Sequence, residues 1–289
     1  MAEAPEYVVV GHVTRDVDEH GGGWREGGTA TYAALTAARL GLRVGVLTAT
    51  KPGRISLEQE GGIELVRCPS ATATTFENVY LDDRREQYVR SVAESLIPSR
   101  LPVAWRQARI AHLGPIAQEV AFEFLDAFSH ALLGVTPQGW LRAWDDLGRV
   151  YPVACAQEGA VLRRADVIIL SLEDLGNDRK WLDRLATEAS LLVETRGAEG
   201  AVVFRNGVGT HVPAFWADEK DPTGAGDVFA AAFMIRFSET RDPLDAARFA
   251  NAVASFVVEA PGAANLPSMQ GARERMLNGR MRVRPESSG

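Results

Sequence analysis

The sequence predicts an α/β fold in which a mostly parallel sheet lies between two layers of helices. Short apolar runs alternate with amphipathic segments along most of the chain, which is the pattern of a sheet covered on both faces. A glycine pair, Gly27 and Gly28, follows the first apolar run, and a loop of small residues ending at Asp227 precedes a long apolar segment. Such loops lie where ligands bind in open α/β sheets.

Individual elements follow from periodicity and turn chemistry. Helical spacing of apolar residues predicts helices over 116–130 and 178–189. Asn206 and Gly207 separate two strand-like arms and predict a hairpin over the surrounding residues. Asp242 is followed by proline, a cap and first-turn pair that starts a further helix. Strands of the central sheet are predicted near residues 6–11, 43–48, 109–113, 132–136, 166–171 and 191–195.

Composition excludes several classes of function. The 289 residues include 31 basic and 38 acidic side chains, a net charge of -7, so the chain has no basic footprint for nucleic acid or an anionic membrane. It contains two cysteines, no signal-like segment and no apolar run of membrane length. We therefore expect one main domain over residues 1–289, in the cytoplasm, acting on a small molecule.

Two segments interrupt the alternation and predict a lid. Residues 12–26 contain a run of three glycines at 21–23, which indicates a loop or bent strand, and residues 71–92 read as strand, turn at 82–83, and strand. Together they predict a small β-sheet that projects from the main domain, although an ordinary edge hairpin is the alternative. An exposed strand edge can pair with a second copy, so monomer and homodimer both remain open.

The most informative motif is the heptapeptide Asp221-Pro-Thr-Gly-Ala-Gly-Asp227. The apolar segment after it predicts a helix whose first N–H groups, those of Gly224, Ala225 and Gly226, point into the loop and form an anion site. Asp227 lies at its mouth and is placed to accept a proton. This arrangement indicates phosphoryl transfer, and the alternative is a tight turn with Asp227 as a helix cap.

A second candidate site lies near the first predicted strand. Gly27 and Gly28 open an alanine-rich helix, and Gly41 can adopt the left-handed conformation that ends it. Asp16 follows the carboxyl end of the first strand, where ligands of open sheets bind. Asp16 is a candidate for holding substrate hydroxyls, and the alternative is a polar turn residue.

Both motifs resemble those of the ribokinase-like, or PfkB, carbohydrate and nucleoside kinases. Residues 221–227 resemble the family signature D-x-T-G-A-G-D, and the glycine pair at 27–28 resembles its N-terminal motif, in the same order. The resemblance spans about residues 6–267 and implies the three-layer ribokinase-like fold with a small β lid. It also implies ATP-dependent transfer to an alcohol group of a small sugar or polyol, with Asp227 as general base.

The resemblance also implies a nucleotide site. Leu192 to Ala201 resembles the strand and turn against which the ATP phosphates lie, which assigns Thr195, Gly197 and Gly200 to the donor. Thr223 in the signature joins them. Asn251 is similar to the family residue near the adenine, with the alternative that its amide only satisfies a neighbouring backbone group.

Metal sites are implied in the same way. Glu173 and Asp174 partly match the family pattern N-x-x-E, with Ser171 in place of Asn, and would hold Mg²⁺ through water. Asp221 is, by analogy, a candidate ligand of a monovalent cation such as K⁺ beside the anion site. Its alternative role is to fix the turn.

The substrate side departs from the family pattern at one place. Tyr32 stands where many members carry Asn after the glycine pair, so we expect an aromatic face beside Gly27, Gly28 and Asp16 in the acceptor site. A second departure is the short segment after Thr48. Neither a dinucleotide-binding G-x-G-x-x-G after the first strand nor a P-loop motif occurs. A nucleoside kinase, or a non-catalytic sugar- or nucleotide-binding sensor, remains the alternative function.

Overall fold

The computed structural model describes residues 4–18, 23–81 and 84–282, and within them a nine-stranded sheet forms the centre of the fold. Neighbouring strands from β5 through β13 are parallel, and a hairpin adds two antiparallel strands at one edge. In spatial order the strands are β15 (Val208–Val212), β14 (Ala201–Arg205), β13 (Leu192–Thr195), β12 (Val167–Ser171), β9 (Leu132–Val135), β8 (Ile110–Leu113), β1 (Tyr7–Val10), β4 (Val44–Thr50) and β5 (Ile63–Pro69).

Apolar side chains project from both faces of the sheet and pack against a layer of helices on each side. Successive residues of β1 illustrate this, because Val9 belongs to the core on one face and Val8 and Val10 belong to the core on the other. One layer consists of α1 (Thr29–Arg39), α4 (Ala225–Thr240), α5 (Pro243–Val257) and α6 (Met269–Asn278), and the other contains α2 (Glu158–Arg164) and α3 (Arg179–Glu188). The six predicted central strands and the helix over 178–189 are confirmed.

The hairpin and the capped helix are also present as predicted. Asn206 and Gly207 both have positive φ angles, 52° and 77°, as a two-residue turn of this type requires. The side chain of Asp242 accepts hydrogen bonds from the amides of Leu244 and Asp245 at the start of α5. At the edge of the sheet β4 continues through Thr50, so the segment after Thr48 is partly strand.

The predicted helix over 116–130 is wrong. Residues 122–126 form a short 3₁₀ turn, and Val120 instead makes a parallel bridge to Leu96. Gln118 has a φ of 59°, a left-handed conformation that cannot continue a helix. Val120 and Phe124 are buried as their spacing indicated, but the backbone between them reaches the core without helical hydrogen bonds.

A four-stranded sheet covers one end of the main sheet and is the predicted lid. Its strands, in spatial order, are β3 (Trp24–Gly27), β2 (Thr14–Asp18), β6 (Thr75–Leu81) and β7 (Arg84–Ser91). A two-stranded ribbon, β10 (Arg142–Trp144) and β11 (Val150–Pro152), packs beside it through Val89, Trp144 and Val150. The predicted features at residues 21–22 and 82–83 lie outside the described residues.

The base of the lid is tied to the main sheet by buried polar groups. His12 Nδ1 lies 2.7 Å from Thr74 Oγ1, and His12 Nε2 lies 3.0 Å from the carbonyl oxygen of Glu94. The Ala93 amide donates to the same Thr74 hydroxyl at 3.0 Å. Burial lowers the pKa of His12, so this tie is made by a neutral imidazole at pH 7.

A second tie uses a buried carboxylate, that of Glu119, which is 1% exposed. It accepts backbone hydrogen bonds from His12 at 3.1 Å, from Ile116 at 2.9 Å and from Ala117 at 2.6 Å. Two amides of the irregular turn and one that follows β1 are thereby satisfied.

We predict that Glu119→Ala lowers the free energy of unfolding by about 3 kcal/mol, because buried amides lose a charged acceptor. Urea denaturation followed by circular dichroism measures the change. Glu123→Ala, on the same turn but exposed, is the matched control, expected within about 0.5 kcal/mol of wild type. Equal stability of the two variants would contradict the role of Glu119.

Candidate active site

The small-residue loop enters helix α4 through Gly224, whose φ is 78°. A Cβ atom at Gly224 would lie 2.5 Å from the ring of Tyr32, so both the backbone conformation and the packing require glycine. α4 begins at Ala225, and the first helical N–H groups therefore fall within the signature, as helix termini dictate.

The anion site differs from the prediction in one amide. The N–H of Ala225 donates to the carbonyl oxygen of Pro222 at 3.1 Å, so it is not available to a ligand. The N–H groups of Gly224, Gly226 and Asp227 have no acceptor among the described residues. A helix N-terminus with unpaired amides favours an anion.

Asp227 lies in the first turn of α4, where its carboxylate Oδ1 accepts a hydrogen bond from Thr29 Oγ1 at 2.7 Å. Burial raises the pKa of Asp227 to about 6, and the Thr29 hydrogen bond acts in the opposite direction. Asp174 and Asp16 raise this pKa further, while the cation Arg142 lowers it. The carboxyl therefore titrates close to neutral pH, as a general base does.

The structure brings Asp16 and the glycine pair together. A Cβ atom at Gly27 would lie 2.3 Å from Asp16 Oδ2, and one at Gly28 would lie 2.6 Å from the carbonyl oxygen of His12. Thr14 Oγ1 donates to Asp16 Oδ1 at 3.2 Å. The glycines thus leave space in which the Asp16 carboxylate lies at the rim of α1, close enough to Asp227 to influence its pKa.

Tyr32 lies near both Asp16 and Asp227. Its ring packs against Gly224, and burial raises the pKa of its phenol to about 12, with further contributions from Asp16, Asp227 and Asp221. The phenol is therefore a neutral hydrogen-bond donor at pH 7. The aromatic face that the sequence predicted beside the glycine pair contacts the anion loop.

A cavity of about 800 Å³ opens on the other side of the loop. Its lining includes the predicted donor residues Thr195, Gly197, Gly200 and Asn251, together with Gly226 of the anion loop. An apolar wall is formed by Phe215, Phe229, Ala254 and Val258. The size and the mixed lining are those of a site for a nucleotide-sized ligand.

Gly200, Asn251 and Thr223, of which Thr223 does not line the cavity, have defined local roles. Gly200 has a φ of 97°, and a Cβ atom there would lie 2.3 Å from the carbonyl oxygen of Val212. The side-chain amide of Asn251 donates to the carbonyl oxygens of Val212 and Pro213 at 3.0 and 3.1 Å. It thus satisfies neighbouring backbone groups while lining the cavity. Thr223 is exposed, and its amide donates to Asp221 Oδ1.

The acidic pair Glu173 and Asp174 lies on a 3₁₀ turn, and Glu173 lines this cavity. Asp174 accepts hydrogen bonds from Gln138 at 2.9 Å and from the amide and hydroxyl of Ser171 at 2.8 and 2.9 Å. No group of three or more His, Cys, Asp or Glu side chains in the described part of the chain is placed to hold a metal ion directly. One or two carboxylates beside substrate phosphates suit Mg²⁺, so this pair fits an outer-sphere role.

Asp221 has the alternative role that the sequence left open, since its carboxylate fixes the turn. It accepts hydrogen bonds from the amides of Thr223 at 3.0 Å and Gly262 at 3.3 Å, and it lies 3.4 Å from the guanidinium of Arg25. Although burial acts against it, hydrogen bonds from Thr223 and Gly262 and the charge of Arg25 lower the pKa of Asp221. The predicted K⁺ site at this carboxylate stays a prediction.

Sequence reasoning missed Thr29, Arg142 and Arg25. Thr29 directly follows the glycine pair, and its hydroxyl is the polar group nearest in sequence to that motif. Arg142 lies on β10, outside any motif, where its guanidinium donates to Gln87 Oε1 at 3.0 Å. Arg25 is two residues before the glycine pair on β3. Only the three-dimensional pairing of these strands brings the two arginines to the site.

Comparison with known proteins finds kinases. Residues 169–269 match the model for the pfkB family of carbohydrate kinases. A nucleoside kinase from Methanothermobacter thermautotrophicus is 27% identical over 266 residues, which cover 83% of this chain and 81% of that protein. The predicted kinase class is confirmed, and this protein is a phosphotransferase.

Solved structures confirm the ribokinase-like fold. A pyrophosphate-dependent kinase in the ribokinase family superposes with a TM-score of 0.79 at 23% identity, covering 92% of this chain and 99% of the other. Fructokinase with bound ATP from Xylella fastidiosa gives a TM-score of 0.73 at 19% identity, covering 94% and 98%. No helix in the described part of this chain has the length and apolar character to cross a membrane.

We predict that Asp227→Asn raises the melting temperature by a few degrees at pH 8 and by little at pH 4. The pKa of Asp227 is raised on folding, so its contribution to stability is present below the unfolded value near 4 and is lost as the pH rises through about 6. The amide cannot ionise and avoids the loss. Scanning calorimetry at both pH values measures this.

The matched control is Asp218→Asn, which removes an exposed carboxylate without changing the site. A melting temperature of Asp227→Asn at or below wild type at pH 8 would contradict the raised pKa.

Proposed function

We propose that this protein transfers the terminal phosphoryl group of ATP to a hydroxyl group of a small sugar or polyol. One observation carries the proposal: the Asp227 carboxylate follows directly after the unpaired amides of Gly224 and Gly226, with the large cavity on one side and Asp16 on the other. Donor and acceptor would therefore meet at the first turn of α4.

Asp227 acts as the general base in this proposal. The acceptor hydroxyl gives its proton to the carboxylate as its oxygen bonds to the terminal phosphorus, and the bond from that phosphorus to ADP breaks. Thr29 holds the carboxylate through its 2.7 Å hydrogen bond and so fixes the oxygen that faces the acceptor. Asp16 would accept hydrogen bonds from other hydroxyl groups of the acceptor.

The amides of Gly224 and Gly226 stabilise the charge on the transferred group. They are fixed by the helix, so they need no reorganisation when the charge develops. The donor phosphates would lie in the cavity against Thr195, Gly197 and Gly200, with the base of ATP against its apolar wall and Asn251. Mg²⁺, held through water by Asp174 and Glu173, would neutralise phosphate charge.

The lid sheet would cover the acceptor and exclude water, which suppresses transfer of the phosphoryl group to solvent. Gln87 on β7 holds Arg142 beside the site. Because Asp16, Asp174 and Asp227 place three carboxylates near the transfer point and Arg142 places one cation, the site favours a neutral acceptor over an anionic one.

A nucleoside is the second candidate acceptor. Two relatives that align with 83% of this chain are named nucleoside kinase and cytidine kinase, and a nucleoside also presents ribose hydroxyls to Asp16. A cytoplasmic location is part of the proposal and is supported by Cys68 and Cys155, which are buried and free.

A screen of purified protein with Mg-ATP against sugars, polyols and nucleosides, with ADP formation as the readout, tests the proposal. With the best acceptor, Asp227→Asn is expected to lower kcat by roughly 10²-fold to 10⁴-fold, because the amide cannot take the proton. The variant's melting curve establishes that it is folded. Unchanged turnover would remove Asp227 from the base role, and ligand binding without ADP formation would favour a sensor.

We predict that kcat/KM falls below a pH of about 6, because protonated Asp227 cannot accept the acceptor proton. Thr29→Val removes a hydrogen bond that lowers the pKa of Asp227, so the acid limb should move to higher pH. Thr29→Ser retains a hydroxyl and is the matched control, with the limb in the wild-type position. A limb that stays in place in Thr29→Val would contradict the assignment of this limb to Asp227.

A further inference from the structure

We infer that Arg25 is a catalytic residue whose guanidinium contacts the phosphoryl group during transfer. This inference rests on the proposed function and adds a lid residue to it. It follows from the position of Arg25 relative to three features: strand β2, which carries Asp16, the anion loop at residues 221–227, and Tyr32.

The strand register directs Arg25 toward the site. β2 and β3 are antiparallel, and Arg25 lies directly opposite Asp16. Directly opposed residues project from the same face of a sheet. On that face the Asp16 carboxylate lies against Gly27, at the start of α1. The Arg25 side chain therefore projects from the face of the lid sheet on which Asp16 lies.

The other end of the Arg25 side chain reaches the anion loop. Its guanidinium Nη1 lies 3.4 Å from Asp221 Oδ2. Asp221 begins the heptapeptide whose last residue is Asp227. The loop carboxylate is itself fixed by the amides of Thr223 and Gly262. Arg25 therefore extends from β3, beside the Asp16 strand β2, to the anion loop at residues 221–227.

Tyr32 lies close to both Arg25 and the anion loop. Its ring rests on Gly224, the residue that supplies the first unpaired amide. Asp16, Asp227 and Asp221 all raise the pKa of this phenol, and Arg25 is the cation that lowers it. Arg25 is thus close to the same small region as the proposed base and the acceptor aspartate. A phosphoryl group passing from the cavity to an acceptor on Asp16 crosses that region.

The ion pair is suited to release Arg25 to a substrate. The Arg25 side chain is 59% exposed and its distance to Asp221 is long, so the pair is weak. A phosphoryl group offers charged oxygens that match the planar guanidinium better than a single carboxylate oxygen at 3.4 Å. Asp221 holds Arg25 in position until the donor arrives.

In the proposed transfer one bond forms, one bond breaks and one proton moves. The acceptor oxygen forms a bond to phosphorus, its proton goes to Asp227, and the electron pair of the broken bond remains on ADP. Arg25 exchanges no proton. It stabilises charge on the transferred oxygens from the lid side, while the amides of Gly224 and Gly226 do so from the helix side.

The test compares Arg25→Ala and Arg25→Lys with wild type, using Mg-ATP and the best acceptor from the screen. Arg15→Ala is the matched control, because Arg15 lies on the neighbouring lid strand and its guanidinium stacks on Trp24 at 4.3 Å. We expect Arg25→Ala to lower kcat by about 10²-fold or more, the scale for losing one donor to the transition state. The KM for the acceptor should change less than about 3-fold, and added guanidinium salt should restore part of kcat.

A binding experiment separates charge stabilisation from a purely structural role. Calorimetric titration measures the affinity for ADP alone and for ADP with aluminium fluoride and acceptor, a mimic of the transferred group. Arg25→Ala should weaken the second complex in proportion to its loss of kcat and leave the first unchanged. Arg15→Ala should leave both unchanged.

A different pattern would overturn the inference. If Arg25 only latched the lid, Arg25→Ala would raise the acceptor KM and background ATP hydrolysis with kcat retained, and guanidinium salt would have no effect. If wild type turned over none of the acceptors, the proposed function would fail on its own. The affinity for ADP with aluminium fluoride, measured without acceptor, would still decide on Arg25, since equal affinities in wild type and Arg25→Ala would refute its contact with the phosphoryl group.

Discussion

The site depends on one helix terminus that the fold leaves without protein acceptors. The amides of Gly224 and Gly226 point into space that no carbonyl group of the described chain occupies, and the carboxylate of Asp227 lies one residue further along. Unpaired amides at a helix start attract negative charge, yet burial raises the pKa of the adjacent acid. The result is a carboxyl group with a pKa of about 6 next to a positive electrostatic field.

The surrounding elements are arranged to keep this terminus open. The Tyr32 ring packs against Gly224 on the side where any other residue would carry its side chain, which keeps this position a glycine. Thr29 engages the carboxylate and holds it away from the amides of its own helix turn. Because Tyr32 and Thr29 both belong to α1, the packing of α1 against α4 sets the geometry of the reaction centre.

Sequence reasoning located the parts of the site that are contiguous in the chain. The heptapeptide, the glycine pair and Asp16 were found because each combines small residues or an acid with a strand or helix boundary, and such boundaries are encoded locally. The helix predicted over 116–130 failed for a complementary reason. Gln118 adopts a left-handed conformation, and Glu119 beside it accepts hydrogen bonds from the nearby amide of Ile116 and the distant amide of His12. Apolar spacing shows burial but not these bonds.

The residues missed by the sequence act across the fold. Arg142 reaches Asp227 only because the ribbon packs beside the lid, and Arg25 reaches Asp221 only because β3 pairs with β2. The Ala225 amide was assigned to the anion site although it bonds Pro222. Which amide of a tight turn is consumed by the turn itself depends on dihedral angles that composition does not specify.

The tie between His12, Thr74 and the backbone at residues 93–94 has a consequence for how the enzyme admits its substrate. These contacts join three crossings between the two sheets at one buried point, which leaves little freedom for a swinging hinge there. In the proposed function, opening would come from flexing of the lid strands beyond Thr14. The depth of the acceptor site would then be fixed, while the width of its entrance would vary.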